Sequence, residues 1–307
     1  MRVLPTLRQL KYLVAVAEHR HFGRAAEDCL VTQSTLSAGL RELEDLLGVK
    51  LVSRGRRQAT LTPVGEEVVE RARTLLRDAD ELVDAAQAGG KPLTGLLRLG
   101  VIPTVAPYLL PRALPALRKA YPDLRLYLRE DQTARLVELL ARPRLDGAVI
   151  ALPYATDGLE EMVLGDDPLL VACPEQHRFA RRPSIDGGEL ASERMLLLED
   201  GHCLRNHALI ACGLQPGQAN EDLQATSLST LLQMVAGGLG LTLVPRLAVE
   251  VETRREPGLA VVPFSDDEPP QRQIALVWRP DSVRSADLRL LGEALSHHLS
   301  EIGSAGG

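Results

Sequence analysis

The chain has 307 residues, of which 45% are hydrophobic and 25% charged, with a net charge of −6. This balance is that of a folded globular protein, and the want of any apolar run of about 18 residues excludes a membrane-spanning helix. The opening MRVLPTLRQL lacks the apolar region of a signal peptide, so a cytoplasmic location is expected. Four cysteines are too few for a disulfide framework, and the length predicts two or three domains. Residues 1–62 carry 10 Lys/Arg against 6 Asp/Glu, whereas the remainder carries 25 against 35. A basic head on an acidic body is suited to a head that meets a polyanion.

Residues 6–19 predict a first helix, with Leu7, Leu10, Val14 and Ala17 on one face. A second runs from His21 to about Leu30. After Val31, Thr32 caps a third helix that reaches Leu47 and stops at Gly48, with Leu36, Leu40, Leu43 and Leu47 inward. Gln33, Ser34, Thr35, Ser37 and Arg41 are then left at its exposed start or outer face. Two helices joined by a tight turn, the second presenting small hydrogen-bonding residues, make a helix-turn-helix. Glutamine and serine suit base edges and phosphates. The alternating, basic run from Lys50 to Thr62, with Arg54, Arg56 and Arg57, predicts a hairpin wing against phosphates, and Cys29 fits the small core of this head.

The residues Phe22-Gly23-Arg24-Ala25-Ala26, Thr32-Gln33-Ser34-Thr35-Leu36-Ser37, Leu43-Glu44, Leu46-Leu47-Gly48-Val49 and Leu61-Thr62-Pro63-Val64-Gly65 carry a family resemblance. Residues 1–90 resemble the winged helix-turn-helix and linker helix of LysR-type transcriptional regulators. Val52 stands where that family usually has an aromatic residue. Pro63 opens a long helix to about Gln87. Its Val64, Val68, Ala72, Leu75, Ala79, Leu82 and Ala86 step by 4, 4, 3, 4, 3, 4, a heptad seam that predicts pairing with a second copy.

Beyond a hinge at residues 88–92, strands at 96–102, 124–129 and 147–152 alternate with helices at 107–120 and 133–141, a parallel βαβαβ unit. Further strands are predicted at 168–173, 195–198, 241–245 and 274–278, with helices at 227–236 and 283–302. The predicted class is α/β overall: an all-α winged helix-turn-helix head (1–62), a linker or dimerisation helix (63–90), then an effector domain (91–307). The latter resembles the two-lobed periplasmic-binding-protein-like α/β domain of the family. Lobe I is expected at 91–165 and 270–307, lobe II at 166–269, with a ligand cleft between them.

Within the effector domain, Asp200 is a candidate N-cap, with Leu204, Ala208 and Ala211 recurring behind it. Cys203 then sits in a first helical turn between His202 and Arg205, where a thiol ionises below its free value of about 8.5. Cys212 follows nine residues on. An intact helix holds the two Cα atoms roughly 13 Å apart, beyond the ~7 Å limit of a disulfide, so joining them requires the segment to unwind. Packed Leu204, Leu209 and Ile210 are expected to resist this. Two other readings stay open on these residues alone: both cysteines are core, or His202, Cys203, His207 and Cys212 hold a metal at a spacing that matches no zinc pattern.

Gly100-Val101-Ile102-Pro103-Thr104, Gln132-Thr133, the run Leu198 to Arg205, Ala225-Thr226-Ser227-Leu228 and Ile274-Ala275-Leu276-Val277-Trp278 are similar to the peroxide-sensing members of the family. The resemblance implies a peroxidatic Cys203, a resolving Cys212, and a peroxide held by Thr104 and Thr133 with His202 and Arg272 beside it. It implies a regulator of oxidative-stress genes, not an enzyme, with no cofactor and no bound metal. Its partners would be double-stranded operator DNA, hydrogen peroxide, further copies of itself as dimer or tetramer, and RNA polymerase. Thr104 has a second expected role as N-cap of the 107–120 helix, and Cys173 is expected to be inert core. The alternative is a LysR-type regulator of a small organic metabolite, bound at Thr104 and Thr133, with structural cysteines.

Overall fold

The computed structural model describes residues 3–54, 59–88, 91–211 and 224–304. Two compact units divide the chain between Gly90 and Lys91.

In the first unit, α1 (Leu7–His19), α2 (Phe22–Asp28) and α3 (Gln33–Leu47) close on Leu13, Ala25, Ala26, Leu36, Leu40 and Leu43, all buried. Each start is capped locally. Thr6 and Gln9 form a capping box, His21 Nδ1 accepts the Gly23 and Arg24 N–H groups, and Thr32 accepts that of Thr35. The second helix stops at Asp28, two residues short of the predicted end, and Leu30 turns the chain at φ +56°. A short antiparallel wing follows, β1 (Val52–Arg54) on β2 (Ala59–Leu61). Glu44 pins its root: the buried carboxylate pairs with Lys50 at 2.9 Å and accepts the Leu51 and Val52 N–H groups at 2.9 and 3.2 Å. Val52, in the aromatic's place, is buried.

Helix α4 (Pro63–Ala88) starts hard against the wing. A Cβ on Gly65 would lie 2.1 Å from the Leu51 carbonyl oxygen, so only glycine fits. The predicted seam is divided. Ala72 is buried, and Val68 packs on the unit's own core beside Val69, whereas Val64, Leu75 and Leu82 remain exposed.

The second unit runs β3 (Gly95–Val101), α5 (Ala106–Ala120), β4 (Leu124–Glu130), α6 (Thr133–Ala141), β5 (Gly147–Leu152) and β6 (Glu160–Pro174). It continues with β7 (Leu197–Leu198), α7 (Cys203–Ala211), β8 (Gln224–Ala225), α8 (Leu228–Ala236), β9 (Thr242–Pro245) and α9 (Arg246–Arg255). The chain ends with β10 (Leu259–Val262), β11 (Gln271–Trp278) and α10 (Ser285–Ser304). Strands β4, β3 and β5 are parallel; β11 pairs antiparallel with β5, and β6 with β11. Strand β6, at 15 residues, is two and a half times the length predicted at 168–173. Its first half pairs with β11 and its second half with β9 and β10, so it passes through the 165/166 break placed between the lobes. In Glu160–Asp167 paired charges flank a run of only four uncharged residues, Met162 to Gly165, too short to stand out by an apolar-run criterion. Helix α9, also unpredicted, is charge-rich and buries only Leu247, Ala248 and Glu252.

Among the described residues no helix is long and apolar enough to cross a membrane, and no group of His, Cys, Asp and Glu is arranged to hold a metal ion.

Candidate functional site

The site of the second unit forms where strands end. Thr104 lies in the turn after β3, Thr133 opens α6 after β4, and Cys203 is the first residue of α7 after β7. Brought together at the carboxyl ends of strands, these residues occupy the usual ligand position of α/β sheets. Thr133 Oγ1 and Cys203 Sγ are hydrogen-bonded at 2.8 Å. Gly201 permits this approach. At φ +96°, it faces Gln132, which a Cβ would meet at 2.3 Å, and Gln132 Nε2 donates to the Asp200 carbonyl.

Arg272 reaches the site from β11 and is fully buried. Its Nη1 donates to Thr104 Oγ1 at 2.7 Å and its Nη2 to the Thr104 carbonyl at 3.1 Å. The balancing charge is Asp167, its partner in the β6–β11 register, whose Oδ2 accepts from Nε and Nη2 at 3.0 and 2.9 Å. Asp167 Oδ1 also accepts the Leu247 N–H. Because the Thr104 oxygen is an acceptor toward Arg272, its own proton is free to be donated to a ligand.

Burial pushes the Cys203 thiol up from its ordinary value, against the opposing pull of the Thr133 hydrogen bond and the Arg272 charge. The expectation of a thiol ionising well below the free value is therefore corrected. Two of its supposed helpers are otherwise engaged. Arg205 is buried, paired with Asp200 at 2.8 Å and donating to the Leu198 carbonyl. Burial lowers the pKa of His202, whose ring lies by Glu199 and the Thr226 backbone, so it is neutral and adds no charge.

Three local expectations also change. Helix α7 begins at Cys203 itself, and Asp200 serves Arg205 rather than a cap. Val105, not Thr104, precedes α5 as its cap residue, with no side-chain cap bond. Ile210 is 74% exposed, so Leu204 and Leu209, both buried, are the apolar anchors of α7. Cys173 is buried with its thiol pushed up to about 11 by burial, as inert core requires. Cys212 lies outside the described residues.

In the first unit, Thr32, Gln33, Ser34, Thr35 and Arg41 are exposed and Ser37 is half-buried. The Thr32 hydroxyl bonds those of Ser34 and Thr35 at 2.9 and 2.8 Å, so these side chains shape the helix start, while Gln33 stands clear of this cluster. Arg41 Nε returns to the Ser37 carbonyl. Arg56 and Arg57, and the side chain of Arg54, lie outside the described residues.

Residues 7–66 match the bacterial regulatory helix-turn-helix protein, lysR family, and residues 90–300 match the LysR substrate binding domain. The chain belongs to the LysR family. It is 44% identical over 289 residues to the DNA-binding transcriptional dual regulator OxyR of Escherichia coli (strain K12), covering 94% of each chain. A full-length cysteine-to-aspartate variant of OxyR from Pseudomonas aeruginosa superposes with a TM-score of 0.76 at 36% identity, covering 95% of this chain and 98% of that one. An H2O2-bound mutant of OxyR from Corynebacterium glutamicum gives 0.69 at 37% identity, covering 98% and 95%.

This LysR-family chain carries two further site residues that its sequence did not point to, Asp167 and Gln132. Asp167 sits in the half of β6 that was not predicted, and its partner is 105 positions away. The short run Met162-Val163-Leu164 between charged pairs was the one available signal. Gln132 was visible only as a neighbour of Thr133.

Proposed function

We propose that the chain is a cytoplasmic, DNA-binding transcriptional regulator that senses hydrogen peroxide by oxidation of Cys203 and its joining to Cys212, and so controls oxidative-stress genes. The observation that carries this reading is the 2.8 Å contact of a half-buried thiol with the Thr133 hydroxyl, beside the buried Thr104–Arg272–Asp167 cluster. The Cys203 thiolate attacks one peroxide oxygen and the O–O bond breaks. Cys203 becomes a sulfenic acid, and the departing hydroxide takes up the proton that the thiol had released. Thr133 donates to the thiolate, and Thr104, polarised by Arg272, donates to peroxide. Condensation of the sulfenic acid with the Cys212 thiol releases water and forms the disulfide.

The signal then passes through α7. Taking a regulator from 1% to 99% active needs ~5.5 kcal/mol of bias, and releasing two buried leucines, Leu204 and Leu209, at roughly 1.5–3 kcal/mol each is of that order. In the head (1–62), Gln33, Ser34 and Ser37 read bases, Thr32, Thr35 and Arg41 support that helix, and Arg54, Arg56 and Arg57 hold phosphates. Exposed Val64, Leu75 and Leu82 on the linker (63–90) support pairing of copies, as dimer and tetramer, with RNA polymerase as the downstream partner.

Mass spectrometry of the peptide spanning Cys203 and Cys212, before and after substoichiometric peroxide, tests the chemistry. A disulfide is expected in the native chain, and a trapped sulfenic acid in Cys212→Ser. The second reading, a metabolite regulator, is favoured by one observation, the upward push on the Cys203 thiol. It requires that Cys203→Ser leave induction intact.

A further inference from the structure

Glu252 is a buried carboxyl group that the chemistry above does not use. It lies on α9, is 1% exposed, and is one of the three buried residues of that helix. Its two oxygens are divided between two other helices. Tyr108 of α5 donates its hydroxyl to Oε1 at 2.8 Å, and Ser229 of α8 donates to Oε2 at 3.0 Å. Exposed Arg255 completes the set, with Nη1 3.5 Å from Oε1. Burial and the Glu252 contact push the Tyr108 phenol up, so it keeps its proton and acts as a donor. A second tie joins α5 to α9 nearer the surface, where Arg112 pairs with Glu250.

The two arms lead to opposite sides of the thiol site. Tyr108 lies in the first turn of α5, and the Val105 and Ala106 N–H groups both return to the Ile102 carbonyl around Thr104. Thr104 therefore sits in the turn from which the helix of Tyr108 starts. Ser229 lies in the first turn of α8, three residues after Thr226, whose backbone the His202 ring meets. Just before it, β8 pairs with β7, and the Glu199 N–H donates to the Ala225 carbonyl. The start of α8 is thus fastened to the run that ends at Cys203. One oxygen of Glu252 holds the helix that follows Thr104, and the other holds the helix fastened beside Cys203. A carboxylate taken out of water is costly unless hydrogen-bonded, and an apolar trio of similar volume would pack without that cost. What the polar trio adds is direction, since hydrogen bonds fix distance and angle whereas apolar burial does not.

We propose that Tyr108, Glu252 and Ser229 are positioning residues for the reaction with peroxide: by bridging α5 to α8 they set the spacing between Thr104 and Cys203. The inference rests on the redox reading above and deepens it. In that reading Thr104 donates to peroxide while the Cys203 sulfur attacks it, so both must face one molecule at once. Arg272 aims the Thr104 hydroxyl and Thr133 holds the thiol, each acting on one side. The Glu252 bridge relates the two sides. A slip of about 1 Å in a reacting geometry costs as much as a hundredfold in rate, so cutting either arm slows oxidation while the thiol itself is unaltered.

The test follows loss of the free Cys203 thiol in the reduced full-length chain, quenched and read by mass spectrometry at several hydrogen peroxide concentrations. Alkylation of the same thiol by iodoacetamide is measured beside it. Tyr108→Phe and Ser229→Ala each remove one hydroxyl and cut one arm. Their second-order rate constants with peroxide should fall about tenfold or more, with alkylation little changed. Glu252→Gln should stay near the native rate, because its amide accepts from the tyrosine and donates to the serine, so the bridge survives without its charge. Thr104→Val should be slow by itself, and Tyr108→Phe added to it should slow it little further, since both act on one interaction. An unchanged rate in either cut variant, an equal fall in alkylation, a Glu252→Gln chain as slow as Tyr108→Phe, or full additivity with Thr104→Val overturns the positioning role. Were the native chain to lose no Cys203 thiol to peroxide, the redox reading would fail and the bridge with it. A native chain that oxidises beside cut variants that match it would overturn the bridge alone.

Discussion

Asp167→Asn isolates the hidden half of the site. The substitution keeps the shape and one carbonyl acceptor but removes the charge that balances Arg272. In the native fold that guanidinium is fully buried, with two of its four hydrogen bonds going to Asp167 and two to Thr104. Removing one partner of a buried pair costs roughly 3–5 kcal/mol because the other charge stays desolvated. Retention of one amide acceptor, worth about 1 kcal/mol, places the expected loss near ~3 kcal/mol. The single tryptophan, Trp278, is buried on the same strand, so its fluorescence in urea reports the 91–307 unit without contribution from the head. A loss below about 1 kcal/mol, the value of a surface pair, would refute the argument. The exposed Asp266→Asn change serves as control and should stay within about 0.5 kcal/mol. In the same variant Arg272 no longer presents Thr104 correctly, so Cys203 oxidation by peroxide should slow together with the loss of stability.

Three other outcomes follow from the geometry. Because burial raises the Cys203 thiol above its ordinary value, its alkylation by iodoacetamide should keep accelerating as pH rises through 9, and Thr133→Val should slow it further at neutral pH; a plateau below pH 8 would contradict this. Burial pushes the Glu44 carboxyl up, but Lys50 and the Leu51 and Val52 N–H groups outweigh it and hold it low. Its stabilisation of the head is therefore present above about pH 4.3, the unfolded value, and is lost as pH falls through the lower folded value. Glu44→Ala should cost about 1–3 kcal/mol in head unfolding by leaving those buried N–H groups unpaired. On DNA, Gln33→Ala should relax sequence choice, whereas Arg57→Ala should weaken all duplexes alike and reduce the salt slope by about one; equal losses on specific and random DNA for Gln33→Ala would exclude base reading.

What the sequence determined by itself was whatever depends on neighbours in the chain. Thr6, His21 and Thr32 cap their helices within three residues, Gly48 closes α3 at φ +69°, and the turns after β3, β4 and β7 carry Thr104, Thr133 and Cys203 because short local motifs end strands there. Tertiary structure decided what depends on distance and dielectric. Asp167 meets Arg272 only because β6 runs on through the sheet, and Glu252 accepts from Tyr108 and Ser229 only because α9 packs where its charges gave no sign. Helix position alone predicts an acidic Cys203 thiol. The fold half-buries that thiol, neutralises His202 and diverts Arg205 to Asp200, and desolvation then outweighs the helix start. His207 was one polar residue in a helical run until the fold buried its ring with Nδ1 unpartnered, since a hydrogen bond left unmade is a property of packing rather than of sequence.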